Sequence, residues 1–503
     1  MTDPPRSSAA PGGAPRRLAL VLGLVGVGFG GAQQLLLREL SALLYGEEVV
    51  LLLVAGVALA AASLGYRLGD RWSARTHARL LLLALLVQFA WPALPRWSVA
   101  GLCALRGGTG PELLVLLVVF ALVIVSPFAV FLPALLTAET DPRRRLAALR
   151  TGYAAELVGF FVGSALAIAL GTHPQLRLAL HFAALTGLAA LVLGRARCLA
   201  LAAAALLALG FGPDLAAAGL DAVYQHKHRL AGAHVVASLD SPYQRVEVVD
   251  SPRRGRALYL DGLRDLDAGE LDILNHYLGR VPARLHRPDR ALVLGNGTLS
   301  LVPELATRAR ELHVVELDLT VINLGLQYFT DPAALPSHDF HLHLADGKAF
   351  LAATDLRFDL VVVDLPSPLT FGEAYLHTRE FYALCRARMN PGGVLAIQLS
   401  GPVGNPARTP ARLAATLAAE FPDVLVVDSE LADRAFAYAS DALPFAPDAV
   451  HAAAHPHERR LELLTGPALA AAISTAKPVT LDDLDLVLRR GLERLLGRHH
   501  LLP

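Results

Sequence analysis

The chain has 503 residues, of which 54% are hydrophobic and 18% charged, and its mean hydropathy is +0.45. That length exceeds what one hydrophobic core usually fills, ~250–300 residues, so more than one domain is expected. The 45 basic residues, nearly all arginine, balance 45 acidic ones, which argues against a nucleic-acid partner. Cys103, Cys198 and Cys385 are scattered, without CxxC or zinc-type spacing, which argues against a disulfide framework.

Residues 1–17 read as a Pro/Gly/Ser-rich polar tail and not as a signal peptide, because no short cleavable apolar core stands alone after them. The apolar excess then falls in long runs near 18–40, 49–69, 79–95, 112–136, 152–171, 176–194 and 197–215. Each is about the ~20 residues that cross a bilayer as a helix, which predicts an all-α multi-pass membrane domain of about seven spans over 18–215. Arginines cluster in "YRLGDRWSARTHAR" (66–79), in "DPRRRLAALR" (141–150), at Arg195 and Arg197, and at Arg16 and Arg17. The positive-inside rule makes these segments cytoplasmic. Seven spans would then leave the following domain outside, whereas six or eight would return it to the cytosol. Glu156, Gln33, Gln34, Arg38 and Glu39 lie in apolar surroundings, where polar groups either pair across helices or serve a function. Gly159 and Gly163 form a GxxxG suited to close helix packing.

The character changes between 213 and 232, and 216–231 reads as a linker. Residues 232–267 read as β-hairpins ("HVVASLD", "YQRVEVVD", "ALYLDG"). From 268 to 440, strands alternate with helices. That pattern predicts an α/β Rossmann-like domain of methyltransferase type, with a parallel sheet covered on both faces. Residues 441–503 read as C-terminal packing helices.

Ligands of such sheets bind beyond the carboxyl ends of the strands. The first strand end carries Gly295-Asn296-Gly297, where backbone and helix N–H groups can approach a ligand. The second carries Glu316, about twenty residues on, the spacing at which a carboxylate meets a ribose diol. The third carries Asp346 and Gly347, and the fourth, "VVVDLPSP", carries Asp364. Ser300 replaces the third glycine of a dinucleotide fingerprint, so a nucleoside fits better than a dinucleotide. Asp364 reads either as a proton acceptor or as a loop-capping acid before Pro366. His341-x-His343 alternates onto one strand face and could bind a metal, but nothing else nearby completes a site, so the pair reads as structural and no metal is expected.

Residues 234–400 resemble the spermidine synthase (polyamine aminopropyltransferase) family, in its membrane-fused branch. The resemblance rests on "YQRVEVVD", "LYLDGLRDLDAGE", "LVLGNGTLSLVPEL", "VVELD", "ADGKAFL", "FDLVVVDLPSP" and "LHTREFYALCRARMNPGGVLAIQ". It implies transfer of the aminopropyl group of decarboxylated S-adenosylmethionine, a co-substrate and not a resident cofactor, to an amine such as putrescine. It further implies that Gln244, Gly295, Gly297, Glu316, Asp346 and Gly347 hold the thioadenosine part, and that Asp364 accepts the proton. The implied setting is a cell membrane, with a small amine and the lipid bilayer as partners and a homodimer among the assemblies open to it.

The amine side departs from the family pattern. Thr298 stands where the family has an acid, Ser367 replaces the second acid of D-x-x-D-P, and Leu274-Asn275-His276 replaces Tyr-His-Glu. Each lost carboxylate removes a charge-assisted hydrogen bond of about 1.5–3 kcal/mol. Asp265, Asp267, Glu270 and Glu373 are the acids available to compensate. Two other functions remain open at this point: an S-adenosylmethionine-dependent methyltransferase, and a nucleoside-binding membrane sensor or transporter.

Overall fold

A computed structural model describes residues 13–45, 47–106, 110–137, 141–404 and 408–495. The chain forms two compact units. One comprises the chain up to Leu44 together with Leu51–Ala231, and the other comprises Tyr45–Val50 together with the chain from Gly232 onward.

The first unit is helical: α1 (Gly13–Leu43), α2 (Glu48–Leu68), α3 (Ala74–Phe89), α4 (Ala93–Arg106), α5 (Gly110–Ala129), α6 (Phe131–Thr137), α7 (Pro142–Ala169), α8 (Pro174–Val192) and α9 (Arg195–His226). Among the described residues, six helices are long and apolar enough to cross a bilayer, and there are seven if α3 and α4, bent by 82° at their break, count as one. The expected span at 79–95 is thus a broken element, interrupted at Pro92, whose ring cannot continue the hydrogen-bond ladder. The expected linker at 216–231 is instead the end of α9 as far as His226, because "DLAAAGLDAVYQH" is rich in strong helix formers. Gly159 and Gly163 bring α7 against α1: a Cβ at either would lie 2.1 and 2.3 Å from the carbonyl oxygens of Gly23 and Val27. Two of the acidic groups in these apolar helices are paired. The Tyr66 hydroxyl donates to Glu156 at 2.7 Å, and Arg96 donates to both oxygens of Glu39 at 2.6 and 3.2 Å. All three cysteines are free thiols.

In the second unit, β1 (His234–Asp240), β2 (Arg245–Ser251), β3 (Gly255–Leu260) and β4 (Leu263–Asp267) form an antiparallel meander. Its apolar face (Val246, Val248, Leu258, Leu266) packs on Val321 and Leu324 of the helix Leu319–Tyr328. The helix expected near 268–280 is a composite. A short α-turn (Leu271–Asn275) passes through a π-turn (His276–Arg280) into Val281–His286.

The large sheet contains β5 (Arg290–Gly295), β6 (Glu311–Glu316), β7 (Phe340–Leu344), β8 (Phe358–Asp364), β9 (Met389–Gln398), β10 (Asp423–Ser429), β11 (Arg434–Ser440) and β12 (Leu461–Leu464), in the order β12-β10-β11-β9-β8-β5-β6-β7. Strands β7, β6, β5, β8 and β9 are parallel, but β11, β10 and β12 join antiparallel. The sheet is therefore mixed, not all-parallel. The short β10–β11 connection returns the chain as a hairpin, which only antiparallel neighbours permit. Successive residues of β5 and β8 enter opposite cores, Leu292, Leu294, Val361 and Val363 on one face and Ala291, Val293, Leu360 and Val362 on the other. That two-sided burial explains their unbroken apolar runs. The C-terminal stretch contributes β12 as well as helices, and Leu469, Val479, Leu486 and Val487 are core residues.

The chain runs outward from β5 through β6 to β7, then returns to β8 on the other side of β5. The order reverses between β5 and β8, which is where such sheets open a crevice.

Leu258 sits fully buried between the meander and the helix Leu319–Tyr328. Leu258→Ala is expected to cost about 2–5 kcal/mol. Hydrogen exchange should show the four meander strands opening faster, with the protection of β5 and β8 retained.

Candidate active site

A cleft of about 700 Å³ opens at that crevice in the second unit. Its floor is the junction of Gly295 and Asp364, which are register partners in the parallel pair β5–β8. Gly295 has φ +86°, and a Cβ there would lie 2.0 Å from the Asp364 carbonyl oxygen, so only glycine fits. Gly297 is equally constrained by contact, since a Cβ would come 2.6 Å from Val321 and 3.0 Å from a Glu316 carboxylate oxygen. Between them Asn296 takes a left-handed conformation (φ +59°), which asparagine tolerates.

Asn296 organises the floor. Its amide nitrogen donates to Asp364 Oδ2 at 2.9 Å and to Ser300 Oγ at 3.3 Å, while its Oδ1 accepts from the Leu301 N–H at 3.0 Å. The expected helix after the glycines is only Val302–Leu305. Loop backbone, not a helix terminus, is what faces the cleft there.

Glu316, at the end of β6, lines the cleft and accepts from the N–H groups of Leu317 and Asp318 at 2.8 and 2.9 Å. Burial outweighs those bonds and raises it to about 7. Gln244 reaches the cleft from the meander and donates to Asp318 Oδ2 at 3.5 Å. Asp346 and Gly347 line the same cleft, with Asp346 Oδ1 capping its helix through Ala349 N–H at 2.7 Å. Asp364 is raised by burial, against the Asn296 amide and the charge of Arg434.

The candidates for the amine side separate into two groups. Thr298 and Ser367 line the cleft. His276 does not: its ring bonds the Ala453 carbonyl at 2.9 Å, outside the cleft lining. Of the four compensating acids, Asp267 is occupied with the Gly269 N–H and Arg264, and Glu270 with Arg264. Asp265 and Glu373 do line the cleft. Burial, with Asp364 and Glu316 close by, raises Asp265 to about 7. Glu373 is also raised by burial, although it accepts from the Leu369 and Thr370 N–H groups at 2.9 Å each.

Several lining residues carry no signal in the sequence, among them Asn296, Arg434 and Gln398. Asn296 lay inside the quoted glycine turn, where its bond to Asp364 had no sequence signal. Arg434, at the start of β11, and Gln398, at the end of β9, come from the antiparallel extension. Arg434 Nη1 donates to Gln398 Oε1 at 2.7 Å, and Gln398 Nε2 donates to the Leu365 carbonyl at 3.3 Å. A guanidinium is thereby fixed on the side of Asp364 away from β5, β6 and β7.

These features define a Rossmann-like α/β domain with an acid-lined cleft at its topological switch point. Residues 271–407 match the spermine/spermidine synthase domain, the family its motifs resemble. The polyamine aminopropyltransferase of Nitrosomonas europaea is 34% identical over 180 residues, covering 35% of this chain and 55% of that protein. Polyamine aminopropyltransferase 1 of Pseudomonas aeruginosa is 28% identical over 188 residues, 36% of this chain and 65% of that protein. The chain thus spans rather more than half the length of the curated relatives it matches. A solved spermidine synthase from Thermotoga maritima aligns with 52% of this chain and 88% of its own, at 20% identity and TM-score 0.37.

The Asn296 amide favours the ionised form of Asp364, so removing it should raise the carboxyl further. Asn296→Ala is expected to move the titration midpoint of a ¹³C-labelled Asp364 carboxyl to higher pH. An unmoved midpoint would show that this hydrogen bond does not stabilise the carboxylate.

Proposed function

We propose that the chain is a membrane-bound aminopropyltransferase that uses decarboxylated S-adenosylmethionine and an amine acceptor. The carrying observation is the placement of Asp364 on the cleft floor, with the Glu316 side of the sheet to one side and Asp265 and Glu373 also lining the cleft. Gln244, Glu316, Asp346 and Gly347 would hold the thioadenosine, Glu316 through the ribose hydroxyls and Asp346 through the adenine amino group. The paired sequence matches support the same reading.

The reaction needs no metal. The sulfonium makes its neighbouring methylene carbon electrophilic, and the amine lone pair attacks that carbon. The C–N bond forms as the C–S bond breaks, its electron pair passing to sulfur to give neutral methylthioadenosine. An alkyl amine has a solution pKa near ~10 and attacks only when neutral. Asp364 positions the nitrogen and takes its proton, a contribution of about 10²–10⁴-fold, and holding both reactants together supplies the rest. Asp265 and Glu373 would face the acceptor in place of the acids lost at Thr298 and Ser367.

A methyltransferase reading has one observation in its favour. Arg434 could pair with the carboxylate of intact S-adenosylmethionine, which the decarboxylated donor lacks. The close sequence relatives favour the first reading.

The apolar helices of the first unit support a bilayer location. Donor chemistry requires the catalytic unit in the cytosol, so protease added to sealed inside-out vesicles should cleave it, and protease added to right-side-out vesicles should not. Asp364→Asn is expected to lower kcat/KM by at least ~10²-fold while methylthioadenosine affinity changes little. Retained turnover would remove Asp364 as the base.

A further inference from the structure

The paired histidines of β7 are not alone once the sheet is assembled. Glu311 and His313 alternate on β6 and so share a face, and the register sets His313 directly beside His341. The His313 and His341 rings stack at 4.6 Å, and those of His313 and His343 at 5.3 Å. His313 Nε2 lies 2.8 Å from Glu311 Oε1, and His341 Nε2 lies 3.9 Å from the same oxygen. One donor atom from each of Glu311, His313 and His341 falls within 4.8 Å of the other two.

We propose that Glu311, His313 and His341 form a binding site for a divalent transition metal of the zinc class, with a fourth position open to water. Two imidazoles and one carboxylate are a donor set that such ions take, at about 2.0–2.2 Å per bond. The donor separations suit a shared ion after small rotations of the exposed His341 ring. The surroundings also match what a metal site needs. His313 Nδ1 lies 3.0 Å from His343 Nε2, which can fix the tautomer that leaves Nε2 free to coordinate. Arg290 donates to the other Glu311 oxygen at 2.7 Å and orients the carboxylate.

The position suggests what the ion does. β7 is the edge of the sheet, and it is poorly covered: Leu342 is 41% and Leu344 56% exposed. Little burial holds it to β6, yet β6 ends in Glu316 and β7 leads into Asp346. A metal bridging the two strands some three residues upstream, roughly 10 Å from Glu316, would clamp the edge that carries both groups.

The test uses the full detergent-solubilised chain in a His499→Ala/His500→Ala background, so that the terminal histidine pair does not contribute. Zn²⁺ titrated against a chromogenic chelator should show one tight equivalent, weakened at least tenfold in His341→Ala and in Glu311→Gln. Co²⁺ loaded into the otherwise unaltered protein should give the intense visible absorption of a four- or five-coordinate ion, lost in His341→Ala. No stoichiometric Zn²⁺ in the background protein, an equal affinity in both variants, or only the weak spectrum of octahedral Co²⁺ would overturn the proposal.

Discussion

The close approach of two backbones, Gly295 on β5 and Asp364 on β8, is the constraint on which the rest of the cleft depends. A side chain at 295 would occupy the space of the Asp364 carbonyl. Because the strands are in register there, the turn after β5 and the loop after β8 leave the sheet side by side. Asn296 can then reach the Asp364 carboxylate, and Gly297 leaves room for Glu316. The parallel ladder therefore does more than hold the core together: it sets the spacing between the Glu316 side of the cleft and Asp364.

The cleft also gathers buried acids. Asp265, Glu316, Asp364 and Glu373 share one cleft, and burial raises all four. A cation bound beside carboxyls in that condition would lower the cost of ionising them, so the cleft favours a positively charged ligand. The charge field does not simply copy a polyamine site, because Arg434 stands at the far side of Asp364. Its guanidinium lowers the cost of ionising Asp364 and Asp265, and it also discourages a second ammonium from lying against it.

Legibility in the sequence followed distance along the chain. The strand ends could be read because an apolar run and the polar residue that closes it are neighbours. Gly295, Glu316, Asp346 and Asp364 do gather at one cleft. Asp265 could be named only as one acid of four, since nothing in the meander distinguishes it from Asp267, which a local turn consumes. Arg434 and Gln398 were invisible because the antiparallel return of β10, β11 and β12 is set by tertiary packing, not by local pattern. His276 failed for a similar reason: the π-turn sends its ring to the Ala453 carbonyl. His341 and His343 were read correctly as sharing a face, but their neighbours lie about thirty residues earlier on β6. Helix α9 outruns its sequence signal because Gly212-Pro213 reads as a stop, yet the helix continues through it to His226.

The account stands or falls on what the cleft does with the two forms of the donor. The full chain, supplied with putrescine and longer amines, should be given decarboxylated and intact S-adenosylmethionine in parallel and its products read by mass spectrometry. The account predicts methylthioadenosine and an aminopropylated amine from the decarboxylated donor, and no turnover of the intact one. Consumption of the intact donor, with a methylated acceptor and S-adenosylhomocysteine as products, would contradict it.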